Sequence, residues 1–445
     1  MGIGPRKYQF DVLSGRFLAA RLPLLAASVL LVCLSLLTIY AIGHPQVESD
    51  NPAEAAEQTG RDEASVRSAA ATGRYAGYWL RQAGFAVVGL GCLVGVNLFD
   101  YRRLGPYSYT LYAVILALLM VLLIDKYIDL PFVPVVNNAR RWIRVTIMGR
   151  DLLNIQPSEF CKVGFIIALA WYLRFRENYR TFKGLVGPFA ITLLAIVLIL
   201  RQPDLGTVML LMPILFAMLF VAGARVKHLL FIIMMAALAA PILWNFMHSY
   251  QRMRIASVAL QNERIFEAVR SRPRLANYLV GEAERLRTWR RDEGYHLLHS
   301  KQAIASGGLR GYGLGKGPYI RYDYLPERHN DFIFAAIAHQ FGLAGCVLVL
   351  VLYTVIIATA MEIAWLNTDA FGRLVAAGIG AMFAVEVLVN INMTLGLMPI
   401  TGLTLPLLSY GGSSMVVHMI AVGLLNNIGR DRPFSVAKKP FEFQN

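Results

Sequence analysis

Charge is scarce in this 445-residue sequence: 16% of it is Asp, Glu, Lys or Arg, while 56% is hydrophobic. A soluble chain carries about a quarter charged residues, so an ordinary globular class is excluded. Cysteine is scarce too. Cys33, Cys92, Cys161 and Cys346 each fall inside an apolar run, where none could pair in an oxidising compartment, and neither a disulfide framework nor a zinc site is expected. Acids are outnumbered, 28 against 43 Lys and Arg. No soluble basic domain with a known binding pattern carries that excess, so no nucleic acid partner is expected and anionic membrane lipid fits better.

What the sequence has in quantity is long apolar runs. About 20 residues of helix cross roughly 30 Å of hydrocarbon. Ten stretches qualify, at approximately 23–43, 78–98, 105–124, 158–175, 185–200, 205–222, 229–247, 332–361, 374–397 and 409–428. The fold class predicted is an all-α polytopic membrane protein of about ten transmembrane helices, with a large extracytoplasmic loop between helices 7 and 8. The first run follows Arg6, Lys7, Arg16 and Arg21 and is too long for a signal-peptide core, so it is expected to remain as helix 1. Lys and Arg are denser in the two tails and the loops on their side than in the opposite short loops, which places both termini in the cytoplasm. The expected organisation is a cytoplasmic amino tail (1–22), helices 1–7 (23–247) with outer loops 44–77 and 125–157, the large loop 248–331, helices 8–10 (332–428) and a cytoplasmic tail (429–445).

The loops differ in kind. Residues 44–73 are acidic and poor in large apolar side chains, as a disordered or loosely helical insert would be. Residues 125–157 mix Trp142, Ile143 and Ile147 with four arginines, the mixture of a segment lying in the membrane interface. In the large loop, 260–293 has helical apolar spacing broken near Pro273, predicting two short amphipathic helices. The stretch "SGGLRGYGLGKG" meets neither the G-x-x-x-x-G-K-[ST] nor the G-x-G-x-x-G spacing, so it is not read as a phosphate loop. No internal repeat is evident.

Ionisable side chains in or beside apolar spans are costly and each is a functional candidate. Glu159 and Lys162 stand three apart at a helix start, fit either for a structural ion pair or for direct contact with a substrate. Arg201 and Asp204 flank Pro203 and read as a helix-junction salt bridge. Glu386 and His418 read as buried partners of other helices. In 395–414 prolines and glycines interrupt apolar sequence; such backbone is tolerated where it is buried in protein or lines a wet cavity, and close packing at Gly411 and Gly412 is the other reading. Asp331 stands at the mouth of the bundle beside a cationic loop, whose arginines would keep it ionised. It could serve as a general base, or Asn330 and Asp331 could cap the following helix.

The motifs "NNARRWI", "QPSEFCK", "QPDLGT", "YQRMRI", "GYHLLHSKQAIASGGLRGYGLGKG", "LPERHNDFIFAAIA" and "GLMPITGLTLPLLSYGGSS" resemble, in order and spacing, those of the SEDS family of bacterial cell-wall proteins. The likeness covers nearly all of 80–430 and looks closer to the elongation members than to the division members. It implies a ten-helix glycosyltransferase of the bacterial inner membrane that polymerises lipid II, partnered by a class B penicillin-binding protein. The family's essential acid matches Asp331, and Arg141, Glu159, Lys162, Asp204, Lys301, Glu327 and Arg328 match positions that bind or shape its site. On that reading Asp331 takes the hydroxyl proton while Arg141, Lys162 and loop arginines steady the departing diphosphate, and the lipid tail lies in a groove open to the bilayer. No cofactor is established; a divalent cation stays open, because the acids are too scattered for its site to be drawn from sequence.

Three departures from the pattern stand out. Residues 260–293 are longer than the family stretch, His339 and Gln340 replace the usual pair of acids, and Asn330 replaces a threonine. Two rival functions remain, a flippase for the lipid-linked precursor and a silent scaffold for the penicillin-binding protein.

Overall fold

The computed structural model describes residues 21–45, 75–125, 128–135, 140–147, 150–175, 181–281, 283–291, 293–322, 324–325 and 327–430. The expectations for the amino tail before Arg21, for most of the 44–73 insert and for the last fifteen residues lie outside the described residues.

Each predicted span is a helix: α1 (Leu22–Gly43), α2 (Tyr78–Leu98), α3 (Leu104–Ile124), α4 (Pro157–Arg174), α5 (Phe182–Leu200), α6 (Leu205–Ala222) and α7 (Val226–Phe246). The 248–331 connection holds α8 (Ser249–Leu260), α9 (Glu263–Arg270), α10 (Pro273–Val280), α11 (Ala283–Thr288), α12 (Glu293–Gly307) and the short α13 (Pro318–Arg321). Then come α14 (Ile333–Leu366), α15 (Ala370–Thr394) and α16 (Gly412–Arg430). Among the described residues nine helices are long and apolar enough to cross a membrane. The tenth, α4, falls short because Glu159, Lys162 and Arg174 share its 18 residues. The chain is a polytopic α-helical membrane protein.

Burial sorts the helices. In α15 and in α16, 78% of the most apolar window is buried inside the protein, against 6% in α7. Lipid tails are as apolar as leucine, so these helices associate through close packing and polar contacts. Accordingly α15 buries Glu386, Asn390 and Thr394 along with its apolar face, whereas α7 buries only Leu229.

Two segments depart from the sequence reading. Residues 143–155 form an antiparallel hairpin, β1 (Ile143–Ile147) with β2 (Arg150–Ile155), a strand pairing that the sequence reading did not predict. Facing strands satisfy each other's backbone groups, and the Arg144 amide donates to Phe132 O at 2.7 Å. Within 260–293 there are three short helices, not two: Pro273 starts α10 and Gly281, at φ 85°, ends it. With α8 they enclose a separate small core of Met253, Leu260, Phe266, Val269, Val280 and Trp289, whose indole donates to Ser257 Oγ at 2.8 Å.

Helix α14, at 34 residues, is longer than a bilayer core requires, and it breaks at Gly342 (φ 62°, ψ −156°). The glycine-punctuated stretch occupies the break. Leu343 N donates to Gly308 O at 2.9 Å, Tyr312 N to His339 O at 3.1 Å and Gly313 N to Gln340 O at 2.9 Å. A Cβ on Gly307 would collide with the Ala338 carbonyl, so only glycine permits this approach.

Candidate active site

A cavity of about 820 Å³ opens where α2, the hairpin, α4, the 404–411 loop and the start of α16 meet. Its wall includes Arg81, Phe85, Trp142, Asn154, Gln156, Glu159, Asn330, Thr404, Tyr410 and Ser414. Ser413 ties the parts together: its hydroxyl donates to Asn154 O at 3.2 Å and accepts from Gln156 N at 2.9 Å.

Asp331 adjoins this wall through Asn330 and does not itself line it. Three successive carbonyls hold it in place. Tyr410 N donates to His329 O at 2.8 Å, Ser409 Oγ to Asn330 O at 2.7 Å, and Asn390 Nδ2 to Asp331 O at 3.0 Å. Neither Asn330 nor Asp331 caps α14: the cap position is Phe332, with no side-chain bond. The Asp331 carboxylate accepts no hydrogen bond from the described residues. Part of the residue reaches the surface, yet packed protein withdraws solvent from its carboxyl. Burial chiefly, then Glu327, push its pKa up to about 7 against the opposing pull of Arg254 and Arg141; Asp204 adds a smaller upward push. The arginines expected to keep it ionised do pull in that direction, but desolvation outweighs them.

Arg141, Asp204 and Glu327 are among the charges that act on Asp331. Arg141 Nε donates to Gln202 O at 3.0 Å, and its Nη2 donates to Pro203 O. Asp204 forms no bridge to Arg201, which is exposed. It caps α6 instead: Oδ1 accepts from Thr207 N at 3.3 Å, and Oδ2 accepts from Ser158 Oγ at 2.9 Å and Thr207 Oγ1 at 3.0 Å. The junction is bonded through hydroxyls because Ser158 and Thr207 reach the carboxylate in the protein interior.

Glu159 lines the cavity and Lys162 does not. The Lys162 ammonium is wholly buried between Glu159 Oε2 at 2.8 Å and Glu386 Oε1 at 2.6 Å, so it cannot touch a ligand in the cavity and the expected contact with a diphosphate is corrected. Two further site candidates stand apart. Arg328 is fully buried, donating to Tyr319 O at 2.9 Å with its guanidinium 5.1 Å from the Tyr75 ring. Lys301 is exposed in a separate shallow groove, bonded to Gln261 Oε1 at 2.8 Å. Glu327 is exposed and holds φ at 52°, a costly conformation for a residue with a Cβ. Among the described residues no three His, Cys, Asp or Glu side chains gather as a metal site.

Sequence reading missed Arg81 and Arg254. Arg81 hydrogen-bonds Tyr410, whose hydroxyl pKa is nonetheless raised by burial. An arginine four residues into an apolar run was the available signal for Arg81; Arg254 lay within the quoted "YQRMRI".

The profile of the FtsW/RodA/SpoVE family of cell cycle proteins matches residues 63–433. The chain belongs to this family. The peptidoglycan glycosyltransferase RodA of Treponema pallidum (strain Nichols) is 32% identical over 398 residues, covering 79% of this chain and 89% of the relative. A probable peptidoglycan glycosyltransferase FtsW of Trichlorobacter lovleyi is 33% identical over 352 residues, covering 78% and 82%. A solved structure described as the structural coordination of polymerization and crosslinking by a peptidoglycan synthase complex superposes with a TM-score of 0.65 at 27% identity, covering 92% of this chain and 97% of that one. His339 and Gln340 have a visible task in this fold. His339 Nδ1 lies 2.8 Å from Ser306 Oγ, and Gln340 Oε1 accepts from Gly315 N at 3.0 Å, so both pin the glycine-rich stretch to broken α14.

Proposed function

We propose that the chain is a peptidoglycan glycosyltransferase that polymerises lipid II, with Asp331 as the general base. The observation that carries this reading is the state of Asp331: a carboxyl that accepts no hydrogen bond from the described residues, beside a cavity, with its pKa raised to about 7. A base is most effective when its pKa lies near the working pH. In the proposed step the Asp331 carboxylate takes the proton of the acceptor sugar hydroxyl while that oxygen attacks the anomeric carbon of the lipid-linked donor. The bond to the diphosphate oxygen breaks, undecaprenyl diphosphate departs, and a single displacement inverts the anomeric carbon. Arg141 and Arg254 near Asp331, and Arg81 in the cavity wall, supply positive charge for the leaving group. Glu159 and Asp204 shape the wall, Lys162 acts through Glu159, and Glu327, Arg328 and Lys301 organise the loop above.

The peptidoglycan glycosyltransferase names of the relatives and the synthase complex among similar structures support the activity and a class B penicillin-binding protein as partner. The motif wording supports a role in elongation. The site then faces outward, both termini lie in the cytoplasm, and the membrane is the bacterial inner membrane. The lipid tail leaves the cavity past Phe85 and Val88 of α2, where Val88 is exposed.

The test is polymerisation of purified lipid II by the chain with its partner. Asp331→Asn should abolish glycan formation while leaving the fold intact. Undiminished polymerisation would remove Asp331 from the chemistry. Headgroup transport without any polymer from the wild type would favour a flippase instead.

A further inference from the structure

Beneath the cavity wall, α4, α15 and α16 share a buried chain of ionisable groups. Glu159 pairs with Lys162 and Lys162 with Glu386 Oε1, and Glu386 Oε2 lies 2.6 Å from His418 Nε2. Glu386, Lys162 and His418 are wholly buried. On its other side the imidazole places Nδ1 2.7 Å from the Ser414 carbonyl oxygen. A carbonyl oxygen can only accept, so the shorter of the two Nδ1 contacts calls for a hydrogen on Nδ1, and the Ser414 hydroxyl, 3.2 Å from the same nitrogen, is then left on the accepting side. At 2.6 Å the gap between Nε2 and a carboxylate oxygen must also hold a hydrogen, since two bare lone pairs would repel. If the ring carries it, His418 is an imidazolium; if Glu386 carries it, that group is a carboxylic acid. Both assignments put one more proton in the cluster than a neutral imidazole beside a carboxylate would.

Charge balance gives the same count. Lys162 is shared between two carboxylates of which only Glu159 reaches the cavity, so Glu386 keeps a partly uncompensated negative charge inside the membrane span, a costly state, and the additional proton cancels it. The other polar groups facing the cluster do not. The Tyr353 hydroxyl of α14 donates to Pro406 O at 2.5 Å, and the Cys161 thiol on α4 is a free, buried neighbour of Lys162.

We infer that His418 and Glu386 share one structural proton, and that this neutral string is a positioning device that presents Glu159 to the cavity. The positioning half of the inference rests on the glycosyltransferase reading above. His418 anchors the string to α16, whose Ser414 also lines the cavity and contacts Thr404 Oγ1 at 2.9 Å. Losing the proton or its holder leaves Glu386 competing alone for Lys162, and the ammonium is drawn away from Glu159.

Two measurements test it on the full-length chain in lipid nanodiscs. The first needs no activity. Wild-type protein with 15N-labelled histidine should show either a buried imidazole protonated on both nitrogens, lost in His418→Gln, or a carboxylic-acid carbonyl band in the infrared, lost in Glu386→Gln. Absence of both overturns the shared proton. The second is kinetic, with lipid II as substrate. His418→Gln should lower kcat about tenfold with KM changed less than about threefold, as expected for misplacement of a positioning group. The double variant His418→Gln with Glu386→Gln restores neutrality and should recover to within about threefold of wild type, a coupling opposite in sign to additive damage. A double variant no better than the single one overturns the positioning role. If His418→Gln cannot be purified, recovery of folded protein in the double variant supports the charge balance, and its failure counts against it. If wild type forms no glycan, the proposed function falls while the spectra still decide the proton.

Discussion

Asn390 of α15 holds the Asp331 main chain against the 395–411 loop: one Nδ2 donates to Asp331 O at 3.0 Å and to Leu403 O at 2.6 Å. A single buried amide therefore fixes both the acid and the irregular backbone beside it. Replacing it as Asn390→Leu leaves two carbonyls without this donor, at a cost of about 1–3 kcal/mol. The expected result is a lower thermal unfolding midpoint and a reduced kcat for lipid II polymerisation. Unchanged values in both assays would show that the loop holds Asp331 without it.

The raised pKa of Asp331 sets the direction of the pH dependence. As a base it must be deprotonated, so polymerisation should rise with pH through about 7, and that limb should vanish with the activity in Asp331→Asn. A pH–rate profile flat from 6 to 8 contradicts the assignment.

Stability should move the opposite way. The native carboxyl keeps its proton up to about 7, whereas an ordinary aspartic acid loses it near 3.8. Between those values the native state binds more protons than the unfolded state, so this residue's contribution falls as pH rises. Asp331→Asn should raise the unfolding midpoint above pH 7 and change it little near pH 4, as a thermal unfolding series would show.

Lys162→Met removes the positive charge between Glu159 and Glu386. Breaking a buried pair by deleting one partner costs about 3–5 kcal/mol because the remaining charges are stranded. Loss of folded protein on purification, or a sharply lowered unfolding midpoint, is expected. A stable Lys162→Met with normal activity would dismiss the cluster as a structural element.

Gly342 is the hinge between the two parts of α14. Its φ of 62° with ψ −156° is a glycine conformation, and a Cβ there would meet Gly311 N at 2.5 Å. Gly342→Ala should cost about 1–3 kcal/mol and release the 307–313 segment, visible as faster backbone hydrogen exchange at Tyr312 and Gly313. Unaltered exchange would mean that the break tolerates a side chain.

The helices were legible because the signal that specifies a span, some twenty apolar residues, is local to each stretch. The hairpin at 143–155 was not, since Trp142, Ile143 and Ile147 suit an interfacial segment of any backbone form, and only pairing with Arg150–Ile155 makes it a strand. The ion pair of Glu159 with Lys162 could be read from helical spacing. The bridge expected between Arg201 and Asp204 failed because Ser158, forty-six residues earlier, captures the carboxylate.

Composition, hydropathy and motif order alone settled that this chain is a membrane bundle with an acid at the foot of a cationic loop, because each of those properties belongs to short stretches of residues. Which charges meet was decided only in three dimensions. Glu386 and His418 lie on different helices, Asn390 reaches Asp331 across 59 positions, and Lys162 is turned from the cavity by a carboxylate on α15. Inside a membrane an unpaired charge is expensive, so partners are chosen by helix packing, and packing brings together residues that no local pattern connects.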